Sequence, residues 1–305
     1  MTKKLTIFHA GSLSRVLQPI ALAFELQNPG ISVHLEGSGA RMAARKAIQH
    51  PDTCDIVASA DYSIIDDFLK PEYATFNIQL AKNRLVLSFS DQSQYANAIQ
   101  PDNWYNILLK PGVTYGHTDP ELDPAGYRTK LCWQLAERYY KQAGLFNCLN
   151  TNLLPENILT DSAIIRSRLT SGKLDYFFGY ESTARQNSYR FINLPDAINF
   201  SADEYSSYYE QAALQLSGKQ PGTVMTVKGQ PIIYSITLIE TTRRRDLALQ
   251  FLEFLLDQGT APIVAAGLIP LSPPIIPPKD NLHLPFRLRR FFNLSQCLDH
   301  IREDV

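Results

Sequence analysis

Two short turns, Ala10-Gly11-Ser12 and Gly37-Ser38-Gly39, hold the residues with the clearest chemical potential in this chain. Each follows a short apolar run and precedes a segment with apolar residues at helical spacing, so each serine sits just ahead of a helix. Backbone N–H groups at such a position lack helical partners, and the positive end of the helix dipole points outward. A single serine there reads first as a helix cap. Two such turns from successive strand–helix units, facing one sheet edge, make an anion site that needs no bulk positive charge. Neutral donors also select by size and geometry, because a buried N–H left unpaired costs about 1–3 kcal/mol.

Enzyme signatures are missing by comparison. The sequence has no GxxxxGK[ST], no GxGxxG after a strand and no HExxH, and Gly37-Ser38-Gly39 is not a GxSxG nucleophile elbow. The histidines, His9, His34, His50, His117, His283 and His300, are scattered. His9 and Ser12 have the types of a base and a nucleophile, but a histidine closing a strand reads as a structural hydrogen-bonder. Cys54, Cys132, Cys148 and Cys297 show no CxxC and no ligand spacing, so they read as mostly buried thiols, with one disulfide left open. No cofactor is expected.

The elements that must position the two turns follow from periodicity. Leu5–His9 predicts a strand and Leu13–Leu26 a helix, stopped by Asn28-Pro29-Gly30. Ile31–Glu36 predicts a second strand, Ala40–Gln49 a helix, Asp55–Ala58 a third strand and Tyr62–Leu69 a helix. This alternation implies βαβ units and a mainly parallel sheet, with ligands at the strand-to-helix edge. Further on, the pattern predicts strands at Asn83–Ser90, Leu174–Gly179 and Pro231–Glu240. It predicts helices at Trp104–Leu109, Pro124–Gln142, Asp161–Thr170 and Arg244–Asp257. The proline-rich run Leu271–Pro278 reads as an extended strap over the surface. Leu85–Phe89 and Ile232–Ile239 are candidate crossings between two α/β lobes.

The bulk numbers agree with that plan. At 305 residues, with 45% apolar and 19% charged, the chain has the size and composition of a globular protein of about two domains. Lys+Arg (29) balance Asp+Glu (30), a net charge of -1, which argues against a partner bound by bulk charge, whether nucleic acid or membrane surface. Arg243–Arg245 and Arg287–Arg290 read as solvated helix faces or ends. No run of eighteen apolar residues is present, so no membrane-spanning helix is expected. Met1-Thr2-Lys3-Lys4 enters a strand at once, without the apolar segment and cleavage site of a signal peptide. The chain therefore reads as cytoplasmic, or as the mature part of an exported protein whose leader was removed.

His9-Ala10-Gly11-Ser12-Leu13-Ser14 resembles the opening motif of the tungstate/molybdate-binding proteins of ABC transporters, a branch of the type II periplasmic binding proteins. The resemblance continues through Gly37-Ser38-Gly39 with Met42-Ala43 and Arg45-Lys46, and through Asp55-Ile56-Val57 with Ala60-Asp61-Tyr62. It then takes in Asp119-Pro120, Asp123-Pro124-Ala125-Gly126-Tyr127-Arg128, Ser171-Gly172, Asp175-Tyr176-Phe177-Phe178, Tyr180 and Pro231-Ile232-Ile233-Tyr234. It spans roughly residues 5–270 in the family's order.

What the resemblance implies is a two-lobed α/β clamshell, each lobe a mostly parallel sheet flanked by helices, closing on one tetrahedral oxyanion. Lobe I is then expected from residues 1–84 and 240–305 and lobe II from 85–239, with crossings near 82–90 and 231–240. Gly11 and Ser12 carry over as the first anion turn, and Ser38, Gly39 and Ala40 as the second. Asp123, Ala125 and Tyr180 match positions of the second lobe. A carboxylate beside an oxyanion is repulsive unless it binds the metal centre, so Asp123 would be a metal ligand only for tungstate or molybdate. Its other reading is the N-cap of the helix beginning at Pro124. The implied partners are the anion and an ABC permease on the periplasmic or extracellular side of the membrane, with a monomer expected.

The chain also departs from the family pattern. Ala40 stands where a second serine is common, and Arg41 follows where an apolar residue is usual. Ala125 replaces the motif cysteine, and Asp161-Ser162 occupies the place of a lysine–glutamate pair. An arginine fork suits sulfate, phosphate or a carboxylate, which keeps a receptor for another anion open. Arg41 pointing into solvent, or pairing with Asp123, is the competing reading. A cytosolic sensor and an enzyme on the same fold are further alternatives. Tungstate or molybdate is the expected ligand, and residues 277–305 match nothing in the family pattern.

Overall fold

The computed structural model describes residues 3–160, 163–220 and 222–292. The strands in chain order are β1 (Lys3–Ala10), β2 (Ile31–Ser38), β3 (Ile56–Ser59), β4 (Ile78–Lys82), β5 (Leu85–Phe89), β6 (Tyr115–Thr118) and β7 (Ile158–Leu159). They continue with β8 (Tyr176–Tyr180), β9 (Arg190–Asn193), β10 (Ala213–Ser217), β11 (Val224–Lys228), β12 (Ile233–Leu238) and β13 (Ile269–Ile275). The four longest described helices are α1 (Ser14–Gln27), α2 (Ala40–Gln49), α3 (Pro124–Tyr139) and α4 (Arg245–Gln258).

The chain divides into two compact units. Asn83–Ile232 forms the second, and the segments on either side of it form the first. The first unit holds a six-stranded sheet in the order β13-β4-β12-β3-β1-β2. β1 pairs in parallel with both β2 and β3, as expected when a helix returns the chain between neighbours. β12 runs antiparallel between β3 and β4, and β13 runs antiparallel on the outer side of β4. The sheet is therefore mixed rather than mostly parallel, because the strands supplied after residue 232 enter from the opposite direction. Residues 233–238, assigned on the sequence to the second lobe, pair with β3 and β4 of the first unit.

α1 forms because Val16, Leu17, Ile20, Ala21 and Phe24 recur on one face and are buried. Phe24 meets Phe251 of α4 edge-on at 5.2 Å. Asp55, fully buried ahead of β3, ties this unit together. It accepts from Thr6 N at 2.7 Å and from Arg244 Nε at 2.9 Å, and it is also bonded by the Thr242 hydroxyl. The predicted surface strap is the edge strand β13 over Ile269–Ile275. Its prolines, which donate nothing to a ladder, are tolerated at an edge, and the pairing with β4 is interrupted between Pro270 and Ile275. The predicted helix at Tyr62–Leu69 is a short turn at Tyr62–Ile64 followed by a π-helical stretch at Ile65–Leu69.

The second unit holds a five-stranded sheet, β7-β6-β8-β5-β9, with parallel pairs β6–β7 and β6–β8 and antiparallel pairs β5–β8 and β5–β9. It also carries the separate hairpin β10–β11. The core is an edge-to-face aromatic lattice in which Trp133 of α3 meets Tyr115, His117 and Phe178, and Trp104 meets Phe178. Asp175 plays the part here that Asp55 plays in the first unit. Just ahead of β8, it accepts from the backbone N–H of Gln94 and of Thr114, each at 2.7 Å. Both motif aspartates thus hold strands in place. Cys54, Cys132 and Cys148 are free thiols, the first two buried, and Cys297 lies outside the described residues.

Candidate functional site

In the first unit the two serine turns come together. Ala10 at the end of β1 is the register partner of Ser38 at the end of β2, so both turns leave the sheet at the same edge. A Cβ placed on Gly11 would lie 3.9 Å from the Ser38 carbonyl oxygen, which puts the turns in contact. Gly11–Leu13 forms a single 3-10 turn that leads directly into α1.

Neither serine caps its helix. No side chain among the described residues caps α1, and the residue before α2 is Gly39, which has no side chain to do so. The Ser38 hydroxyl donates to its neighbour's carbonyl, Gly39 O, at 3.3 Å. The Ser12 hydroxyl accepts a hydrogen bond from Tyr234 Oη at 3.0 Å, from the fully buried second residue of β12. Two helix N-termini with positive partial charge therefore stand at one edge without side-chain caps.

His9 braces this edge. Its buried ring donates from Nδ1 to Ala10 O at 2.9 Å and lies against Gly37, where a Cβ would come within 3.1 Å of the imidazole Cε1. Burial holds its pKa below the ordinary value, opposed by the hydrogen bond to Ala10 and by Glu36. It is a structural hydrogen-bonder, as the sequence suggests.

Ala40 is buried and brings no hydroxyl. Arg41 is 1% exposed, with its guanidinium 5.1 Å from the centre of the Phe68 ring, a cation–π contact inside the first unit. The solvent-facing reading of Arg41 is therefore corrected. Its long apolar stem and delocalised charge suit an aromatic face, and Arg45 lies over the same ring at 5.7 Å.

In the second unit, the loop after β6 leads into α3. Asp123 is its N-cap, with Oδ1 accepting from Ala125 N at 2.7 Å and Pro124 at the first helical position. Gly126 is required by close approach: a Cβ there would stand 2.1 Å from Thr118 O and 2.8 Å from Pro120 N. The Asp123 carboxyl is pushed above the usual carboxylate range by desolvation, opposed by the Ala125 N–H and the Arg128 guanidinium. Ala125 is buried beside it.

Tyr180 closes β8, buried, and its hydroxyl accepts from Arg128 Nη1 at 2.7 Å. Because β6 and β8 are parallel neighbours, Tyr180 and the loop after Thr118 belong to the same edge of this sheet. Asp161 and Ser162 lie outside the described residues. The sequence reading missed the two residues behind the hydroxyls, Tyr234 and Arg128. Both sit in motifs it quotes, but only the fold shows which hydroxyls they touch. No group of three or more potential metal ligands occurs among the described residues, and no described helix is long and apolar enough to cross a membrane.

The chain is similar to known proteins over most of its length. An uncharacterised solute-binding protein of Petrotoga mobilis is 38% identical over 275 residues, covering 90% of this chain and 86% of its own. The molybdate/tungstate-binding protein WtpA of Thermococcus kodakarensis is 35% identical over 299 residues, covering 89% of this chain and 83% of its own. Among solved structures, the periplasmic molybdate-binding protein of Azotobacter vinelandii superposes with a TM-score of 0.61 at 17% identity, covering 87% of this chain and 98% of that one. The sulfate-binding protein SubI of Mycobacterium tuberculosis gives 0.60 at 14% identity, covering 89% and 88%. At those identities the structures speak for a shared fold. The family model of bacterial extracellular solute-binding proteins matches residues 5–269, and this chain is a member of that family, a family of binding proteins and not of enzymes.

Proposed function

We propose that the protein is the solute receptor of an ABC transporter for tungstate or molybdate, with Gly11, Ser12, Ser38 and Gly39 of the first unit and Tyr180 of the second among its donors. The observation that carries this reading is the pair of turns in contact at one sheet edge, neither serine spent on capping its helix. Two helix N-termini and two hydroxyls offer only partial positive charge, which suits a small dianion stripped of water better than a diffuse anionic surface. The names of relatives such as WtpA support the metal oxyanions within that class. The Arg41 guanidinium lies over the Phe68 ring of the first unit. Asp123 fits a metal oxyanion if its carboxylate approaches the metal centre while Oδ1 keeps its cap to Ala125.

Binding requires no covalent step. The ligand shifts the protein toward whichever state gives it more contacts, and a membrane permease on the outer side would read that state. Thermal unfolding with tungstate, molybdate, sulfate or phosphate tests the ligand. An anion at 100 times its dissociation constant adds about 2.7 kcal/mol of stability, and the expected result is a clear shift with tungstate or molybdate and little with the others. A shift with sulfate or phosphate alone would refute the metal-oxyanion reading and leave the family assignment standing.

A further inference from the structure

Both proposed anion-facing hydroxyls are backed by a donor from the protein. Tyr234 Oη donates to Ser12 Oγ at 3.0 Å, and Arg128 Nη1 donates to Tyr180 Oη at 2.7 Å. A hydroxyl has one proton and two lone pairs, so a donor arriving on one lone pair turns the proton away from that side. A guanidinium has five donors and no acceptor, so Tyr180 cannot return its proton to Arg128. Accepting a hydrogen bond also polarises the O–H that remains and strengthens it toward an anion. Tyr234 and Arg128 are both buried, at 0% and 1% exposure, and each is set by its own scaffold, β12 for one and α3 for the other.

We infer that Tyr234 and Arg128 are positioning residues that hold the Ser12 and Tyr180 hydroxyls as donors toward the bound oxyanion. The same device then serves in each unit, built from different residues. Neither residue need touch the ligand. Each acts through the hydroxyl in front of it, and that dependence separates this role from simple support of the fold. The inference rests on the oxyanion reading above.

The test is a double-mutant cycle on tungstate affinity, measured by calorimetric titration, with unliganded thermal stability followed alongside. Tyr234→Phe keeps the ring and removes only the donor, and it should weaken tungstate about tenfold. Ser12→Ala should weaken it about thirtyfold, and the double variant should match Ser12→Ala within about twofold, because no hydroxyl remains to orient. Arg128→Lys and Tyr180→Phe form the parallel cycle, with lysine keeping a charge at a site where arginine removal could impair folding. Unchanged tungstate affinity in Tyr234→Phe, or independent multiplicative losses in the double variant, would overturn the inference while the oxyanion reading stands. Wild-type protein that binds none of tungstate, molybdate, sulfate or phosphate would overturn the oxyanion reading, and the positioning role with it.

Discussion

Arg41 and His117 show how far a residue's type can stand from its task. An arginine in the first turn of a helix beside an anion site reads as a ligand, yet this one lies under the surface against Phe68. Arg41→Met should therefore cost about 3 kcal/mol or more of stability, because it removes a buried charge that acts on Asp67 as well as on the Phe68 ring, while leaving tungstate affinity within about threefold. Urea unfolding and titration on the same preparation check both halves. His117 is fully buried against Trp133, donates from Nδ1 to Thr118 O at 2.7 Å, and is pushed down to about 4 by burial. Its stabilising share is complete above the unfolded value of 6.5. It is lost as pH falls toward 4, because the unfolded chain takes up a proton the folded one refuses, a swing of about 3 kcal/mol. Stability measured between pH 7 and 4 should fall less steeply in His117→Gln than in wild type.

At the scale of elements, the first unit's strand–turn–helix pairs were legible because their apolar periodicity is clean and their turns carry glycine. β6 was not. Tyr115-Gly116-His117-Thr118 has a glycine and two polar residues, and all four are buried, Tyr115 and His117 against Trp133 of α3. β10 and β11 were missed as well, although Leu214 with Leu216 and Met225 with Val227 alternate there. The site divides the same way. The Asp-Pro start of α3 announces its cap from two adjacent residues, whereas the Tyr234–Ser12 contact joins positions 222 apart and leaves no local trace. Gly126 had a visible place in its motif but no visible reason. The reason is the Thr118 carbonyl, 2.1 Å from where a Cβ would stand. Gly126→Ala should lift α3 off that loop at a cost of about 3 kcal/mol or more and weaken anion binding in proportion to the displaced Asp123 cap. Thermal unfolding with and without tungstate would show it, and an unchanged midpoint would mean that the helix moves at no cost.

For the whole molecule, the two units are joined at a seam. Lys82 and Ile233 are register partners in the first unit's sheet, and the next residues, Asn83 and Ile232, are bonded in the second, N–H to carbonyl at 3.2 Å. Each unit has its own sheet and buried core. Residues 83–232 alone should therefore fold cooperatively, and so should the first unit with Lys82 joined to Ile233 through a short glycine-containing turn. Circular dichroism melts check both, and a broad transition without cooperativity in either would show that it depends on its companion.

That seam also bears on inheritance. Where the chain leaves one unit and returns within a single ladder step, two cuts in the gene excise residues 83–232 without breaking a strand pairing of the first unit's sheet. Exchange between related receptors at those two points would pass on the Asp123–Arg128–Tyr180 set as one cassette. The Ser12–Ser38–Tyr234 set, split across both ends of the chain, would travel only with the flanks. Under the proposed function, ligand preference in such a lineage would change by halves in one recombination event, long before it changed residue by residue.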